Sequence, residues 1–297
     1  MNRYSFAYLV IVYLLFGIYT LNGEIDIDHQ LKAALVLMSF FGIPHGAIDN
    51  VLFLSKHKMP QLKFYSLYLS TIAIYCCCWY FFPIFSILFF FLISAFHFGE
   101  SQLSDYAFQS RFKKVIYTLW GVSLLSTLVF YNQSELLILC QEFTDTVKFS
   151  HVFEHPSIDY LFYGSNVILI SFLCIKKYRD KHNIQALLSE LFQLFLIHLT
   201  FYLFPIVISF TLYFIFLHSM KVLTQEYIYL KQIRPELNLK KFIVLLLPHT
   251  LISLIFLFVF YIGIQIQVIP ISLFLFSVIS ISVITLPHAI IMTNFYD

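Results

Sequence analysis

The chain has 297 residues, 60% hydrophobic and only 11% charged, with a mean hydropathy of +0.83 and a formal net charge of +2. So little polar surface excludes a soluble domain of this length, and apolar runs this long and continuous exclude a transmembrane β-barrel. The class implied is an all-α polytopic membrane protein, and the small net charge argues against a nucleic-acid partner.

A helical span needs roughly 17–25 apolar residues. In chain order the runs that qualify are Tyr4–Leu21, Leu31–Leu54, Phe64–Phe82, Pro83–Gly99, Val115–Tyr131, Asp159–Ile175, Ala186–Phe204, Pro205–Thr224, Phe242–Gly263 and Ile269–Met292. This gives about ten transmembrane helices in a single integral-membrane domain, residues 1–297. The first run follows one basic residue and has no small-residue cleavage site, so it reads as a span and not as a signal peptide. Pro83 and Pro205 split two double-length runs into tight hairpins. Gln133–Ser157 is amphipathic and forms the one sizeable loop. Five cysteines (Cys76, Cys77, Cys78, Cys140, Cys174) show no CxxC spacing, and they read as buried thiols rather than disulfides or zinc ligands.

Basic residues orient the bundle. Of eighteen, all but Lys32 and Lys148 fall on one side of a ten-span layout: Arg3, Lys56, Lys58, Lys63, Arg111, Lys113, Lys114, Lys176, Lys177, Arg179, Lys181 and the run from Lys221 to Lys241. The opposite loops carry Glu24, Asp26, Asp28, Glu135, Glu142, Asp145, Glu154 and Asp159. The positive-inside rule then puts both termini in the cytoplasm and the protein in a cell inner membrane.

Eleven histidines are present. His29, His57, His151, His155 and His182 fall in loops. His45, His97, His198, His218, His249 and His288 fall inside spans. On the layout above, all of these except His198 lie in the cytoplasmic half, with His45 about ten residues, or ~15 Å, from the Lys56 loop. His45 sits in Phe41-Gly-Ile-Pro-His-Gly-Ala-Ile-Asp49, where Pro44 and Gly46 loosen the helix and Asp49 shares the face of His45 at i, i+4. An ionisable pair at that depth costs several kcal/mol unless something binds or pairs it. Convergent imidazoles from separate helices are how a bundle builds a metal site. The plain alternative is a histidine at each helix kink that bonds a backbone carbonyl, and it serves equally well for the Pro-His pairs at His249 and His288. No thiolate accompanies the histidines, which leaves iron, copper or zinc. The HxxxH and HxxHH patterns of di-iron desaturases and the DDxxD of prenyltransferases are absent. Asp49 and Glu100 read as groups that orient an imidazole. Glu190 and Tyr213 are further polar groups inside spans; a hydroxyl at Tyr213 could lie near the site, and Glu190 carries no assigned role.

Four stretches, Gly42–Asp49 (GIPHGAID), Ala95–Ser101 (AFHFGES), Phe204–Ser219 (FPIVISFTLYFIFLHS) and Thr285–Met292 (TLPHAIIM), together resemble the Brp/Blh-type bacterial membrane β-carotene 15,15′-dioxygenases. The resemblance implies a multi-span enzyme that uses histidine-bound Fe(2+) and O₂ to cleave β-carotene into two retinal molecules. By that resemblance His45, His97 and His218 are iron ligands. The family pattern continues to a second histidine four residues after His218, where this chain has Val222, and it tends to an aspartate where this chain has Gln102. Three histidines can still form a facial iron site with open positions for O₂ and water, or His249 or His288 supplies a fourth nitrogen. The alternative function is a carotenoid- or retinal-binding membrane protein that has lost its metal. A C40 polyene in the hydrocarbon layer would need apolar walls, for which Phe89–Phe91 and Phe210–Phe216 are the expected runs. A transporter, or a haem- or quinone-binding protein, is the remaining reading; the chain has no inverted repeat and no charged pathway across the bilayer.

Overall fold

The computed structural model describes residues 3–23, 25–104, 112–179 and 184–296. Glu24, Arg111, Lys181 and His182 lie outside the described residues, as do the side chains of Arg3, Lys176, Lys177 and Arg179. Every regular element among the described residues is helical: α1 Arg3–Asn22, α2 Ile27–Phe41, α3 Ile43–Gly46, α4 Asp49–Lys56, α5 Gln61–Phe81, α6 Pro83–Leu103, α7 Lys113–Tyr131 and α8 Gln133–Glu142. After a 3-10 turn come α9 Ser150–Phe153, α10 Ser157–Arg179, α11 Ile184–Leu203, α12 Ile206–Tyr213, α13 Met220–Ile233, α14 Leu239–Gln265 and α15 Leu273–Tyr296. Nine helices among the described residues are long and apolar enough to cross a membrane, and Leu188–Leu203 within α11 is a shorter apolar helix. The protein is a polytopic all-α membrane protein with about the expected number of spans.

Three departures from the expected runs have local causes. The second span is one apolar stretch, Ile27–Lys56, broken at its middle into α2, α3 and α4. Around Pro44 the i→i−4 ladder gives way to shorter bonds, His45 N to Gly42 O at 3.2 Å and Ala47 N to Pro44 O at 3.1 Å. The span after Pro205 runs on well past Thr224, as one stretch Ile206–Ile233, with a π-helical turn at Phe214–Ser219. The Gln133–Ser157 loop contains two short helices, α8 and α9. Pro248 and Pro287 are accommodated inside α14 and α15.

The cysteine expectation is corrected. Cys76, Cys77 and Cys174 lie on the outer faces of their helices, Cys78 is partly covered, and only Cys140 is buried. Apolar sequence around a thiol signals contact with lipid as readily as with a core, and a span has both kinds of face.

The chain divides into two compact units, Met1–Ala34 with Ala95–Leu217 and Leu35–Ser94 with His218–Asp297. The first is organised on α7, which packs on α10, α11 and α12. Helices α6 and α7 touch backbone to backbone: a Cβ on Gly121 would sit 1.7 Å from Ala95 O, and one on Gly99 would sit 1.8 Å from Tyr117 O. Small residues permit this approach, common between membrane helices. The contacts at Ala95 and Gly99 bracket His97 on α6.

In the second unit α15 packs on α4 and α5, while α3 packs on α13 and α14. Trp79 Nε1 donates to Ser282 Oγ at 2.8 Å, tying α5 to α15. The Lys56 ammonium donates to Asn294 O and Phe295 O at 2.9 and 2.8 Å, covering carbonyls at the end of α15 that have no helical partner. Below the break in the second span lies an apolar cluster of Ala47, Ile48, Leu52, Val222, Leu230, Leu237, Phe242, Leu246 and Met292.

Candidate metal centre

Three buried histidines from three elements of the second unit meet at the broken span: His45 of α3, His218 of the π-helical turn and His288 of α15. The rings of His45 and His288 are 4.7 Å apart between centres and those of His45 and His218 are 5.3 Å apart, each pair edge to face. A ring nitrogen of His45 and one of His288 lie within 4.8 Å of each other. Imidazoles that share one ion through nitrogens at about 2.0–2.1 Å bring their ring centres to roughly 4.5–5.5 Å of each other. The donor set fits a metal ion on that test, and it contains no thiolate.

Local sequence explains how each ring is aimed. The turn around Pro44 puts the Gly42 carbonyl beside His45 Nδ1, which donates to it. Nδ1 carries the proton, so the Nε2 lone pair is the donor toward a metal. The carbonyl contact that would explain a kink histidine thus also fixes the orientation of the His45 ring. His218 is the penultimate residue of the π-helical turn. The extra residue in that turn advances its side chain around the helix relative to Phe210 and Tyr213, a distortion frequent at functional sites.

His288 Nδ1 meets Asp49 Oδ1 at 2.8 Å, and the other Asp49 oxygen accepts from the Tyr68 hydroxyl at 3.0 Å. Both members of the His288–Asp49 pair are buried. Gly46 leaves room beside them, since a Cβ there would lie 3.4 Å from His288 Nδ1. Asp49 therefore orients His288 and not His45, whose face it shares in sequence.

The other expected residues have these surroundings. His97 and Glu100 are both buried on α6, in the part that belongs to the first unit. His249 Nε2 lies 3.0 Å from the Tyr65 hydroxyl, which accepts from Asn50 Nδ2 at 2.9 Å, so its partner is a phenol at a helix kink. His198 is held in the first unit by Asn166 Oδ1 at 3.0 Å, with Tyr131 and Thr127 close by. Val222 is fully buried in the apolar cluster. Gln102 donates to both carboxylate oxygens of Glu190, at 3.1 and 2.9 Å. Trp120 Nε1 donates to Glu190 as well, at 2.8 Å. An aspartate at position 102 would set a second carboxylate against Glu190, so glutamine is the residue that suits this neighbour.

The family model for beta-carotene 15,15′-dioxygenase matches residues 36–296. The chain belongs to that family. A protein named beta-carotene 15,15′-dioxygenase, from uncultured marine bacterium 66A03, is 30% identical over 201 residues, spanning 63% of this chain and 66% of that one, just under two thirds of its length. No solved structure matches the chain.

Two residues of this family member escaped the sequence reading. Tyr68 gave no signal, because a tyrosine in an apolar span more often packs or sits at an interface. Glu226 was legible in principle, as a carboxylate two turns after His218, but only once the helix is known to continue past Thr224. It is fully buried, and neither of its oxygens has a hydrogen-bond partner among the described residues.

Proposed function

We propose that the protein is an iron-dependent oxygenase that cleaves β-carotene at its central double bond to give two molecules of retinal. The observation that carries the reading is the meeting of buried imidazoles from separate helices, without a thiolate, in a chain that belongs to this family. His45 and His218 are the proposed metal-holding residues of the second unit, and His97 is the proposed ligand from α6. Bound Fe(2+) would supply the oxidation by O₂ that splits one carbon–carbon double bond into two aldehydes. The chain's own part is to hold nitrogen donors, keep water out with apolar walls and offer the polyene flat surfaces, with Phe89–Phe91 and Phe210–Phe216 as the proposed lining. The protein is proposed to lie in an inner membrane with both termini cytoplasmic, on the asymmetry of its basic residues.

Co-expression with β-carotene-producing enzymes in a bacterial host tests this. The expected result is bleaching of the yellow pigment, with retinal by chromatography, and loss of both on His45→Ala, His97→Ala or His218→Ala. Unchanged pigment with the protein confirmed in the membrane overturns it. The burial of Val222 in apolar surroundings favours one second reading, a carotenoid- or retinal-binding protein without metal. Its mark is intact polyene that co-purifies with substoichiometric iron.

A further inference from the structure

We infer that His288 supplies the nitrogen donor that Val222 cannot, with Asp49 as its positioning residue and Tyr68 holding Asp49. This rests on the metal-centre reading above and names one of its ligands.

Four observations carry it. The His288 ring stands edge to face with His45 at 4.7 Å, closer than His218 does at 5.3 Å. Its Nδ1 is engaged by Asp49, which leaves Nε2 as the ring nitrogen turned away from the carboxylate, the arrangement of a carboxylate-held metal histidine. Asp49 is itself fixed through its second oxygen by Tyr68, so the carboxylate cannot swing away from the imidazole. Gly46 provides the space in which the pair sits. A carboxylate within a span costs several kcal/mol unless compensated, and a cation reached through the imidazole supplies a compensation that a neutral histidine alone does not. A purely structural His–Asp pair linking α15 to α4 is the competing explanation, and metal binding separates the two.

The test is titration of the purified full-length protein in detergent with Co(II) as the probe, reading affinity and the visible ligand-field spectrum, with Fe(2+) content by elemental analysis. His288→Ala should weaken Co(II) binding at least 10–100-fold and change the spectrum, and millimolar imidazole should restore both. His288→Gln, whose amide can still donate to Asp49, keeps the helix pairing and should lose the same affinity. Asp49→Ala should cost about 10–100-fold, the usual effect of removing such a partner, and Asp49→Asn should recover much of it because its carbonyl still accepts from Nδ1. Tyr68→Phe should cost less than Asp49→Ala. The inference is overturned if His288→Gln, folded by size-exclusion chromatography, binds Co(II) with the wild-type affinity and spectrum while His45→Ala does not. If the wild-type protein binds neither metal, the metal-centre reading itself fails and takes the inference with it.

Discussion

Glu190 in the first unit and Asp49 in the second are both carboxylates inside apolar helices, each 3% exposed. Glu190 accepts from the Trp120 indole and the Gln102 amide, and the chain of bonds runs on from Gln102 through Gln193 to Ser5. Those partners are protein groups that close on one another, and the result is a polar fastening between helices. Asp49 accepts from a phenol and from an imidazole, and an imidazole has a second nitrogen that reaches onward. The same device, a buried carboxylate with two donors, fastens helices in one unit and aims an imidazole in the other. The identity of the donor makes the difference. His198 and His288 repeat the contrast: the first is held by an asparagine in a seam of hydroxyls and amides, the second by a carboxylate beside two more histidines.

The largest expected effect tests the fastening side. Gly121→Ala would drive a Cβ to 1.7 Å from the Ala95 carbonyl, where no flexible side chain can yield. The α6–α7 contact must open, and the variant should lose its monodisperse peak in size-exclusion chromatography at a temperature the wild type tolerates. If Gly121→Ala is as stable as wild type, the two helices are not in backbone contact.

The next effect exchanges one region's logic for the other's. Val222→His would place an imidazole one turn before Glu226, whose oxygens have no hydrogen-bond partner among the described residues. The carboxylate should accept from the new ring as Asp49 does from His288, so the variant should fold and keep or raise its iron content. Combining it with Glu226→Gln should lower iron content again. Equal iron in the single and double variants would mean that Glu226 does not orient the new ring.

A smaller effect belongs to His198. His198→Ala removes a bond between α10 and α11 and should cost about 0.6–1.7 kcal/mol in thermal or denaturant stability, the range for such bonds in membrane proteins. It should leave retinal formation by the folded protein at wild-type level. Loss of activity with stability unchanged would move His198 into the reactive machinery.

The smallest concerns Glu135, outside the spans, where the backbone N–H of Ile206 donates to Oε2 at 2.8 Å. Burial raises its carboxyl above the usual range, and the Ile206 bond offsets part of this. With the folded value above the unfolded one, the carboxyl's contribution to stability is fully present below the ordinary carboxylate range and is lost as pH rises through the folded value. Stability measured across mildly acidic pH should fall as pH rises, and Glu135→Gln, which keeps an acceptor for Ile206, should flatten that slope. A slope unchanged in the variant assigns it to other groups.

Much of the fold was readable because hydropathy is a local property: a run of apolar residues of span length must be helical in lipid, wherever it packs. The break at Pro44 and Gly46 was readable for the same reason, and His45 and His218 stood out as ionisable groups within apolar helices. Tyr68 was not, since nothing near it in sequence says that its hydroxyl meets a carboxylate nineteen positions earlier. The end of the span after Pro205 was misjudged because Glu226 and Lys221 resemble the start of a loop, whereas both are buried in a helix that continues.

By itself the sequence determined that this is a helical membrane protein with ionisable side chains inside apolar helices, because composition and spacing decide what lipid tolerates. Which histidines meet was decided by tertiary structure alone. Asp49 lies four residues from His45 yet bonds His288, 239 positions away, because the side chain follows the packing of α15 on α4 and not the order of the chain.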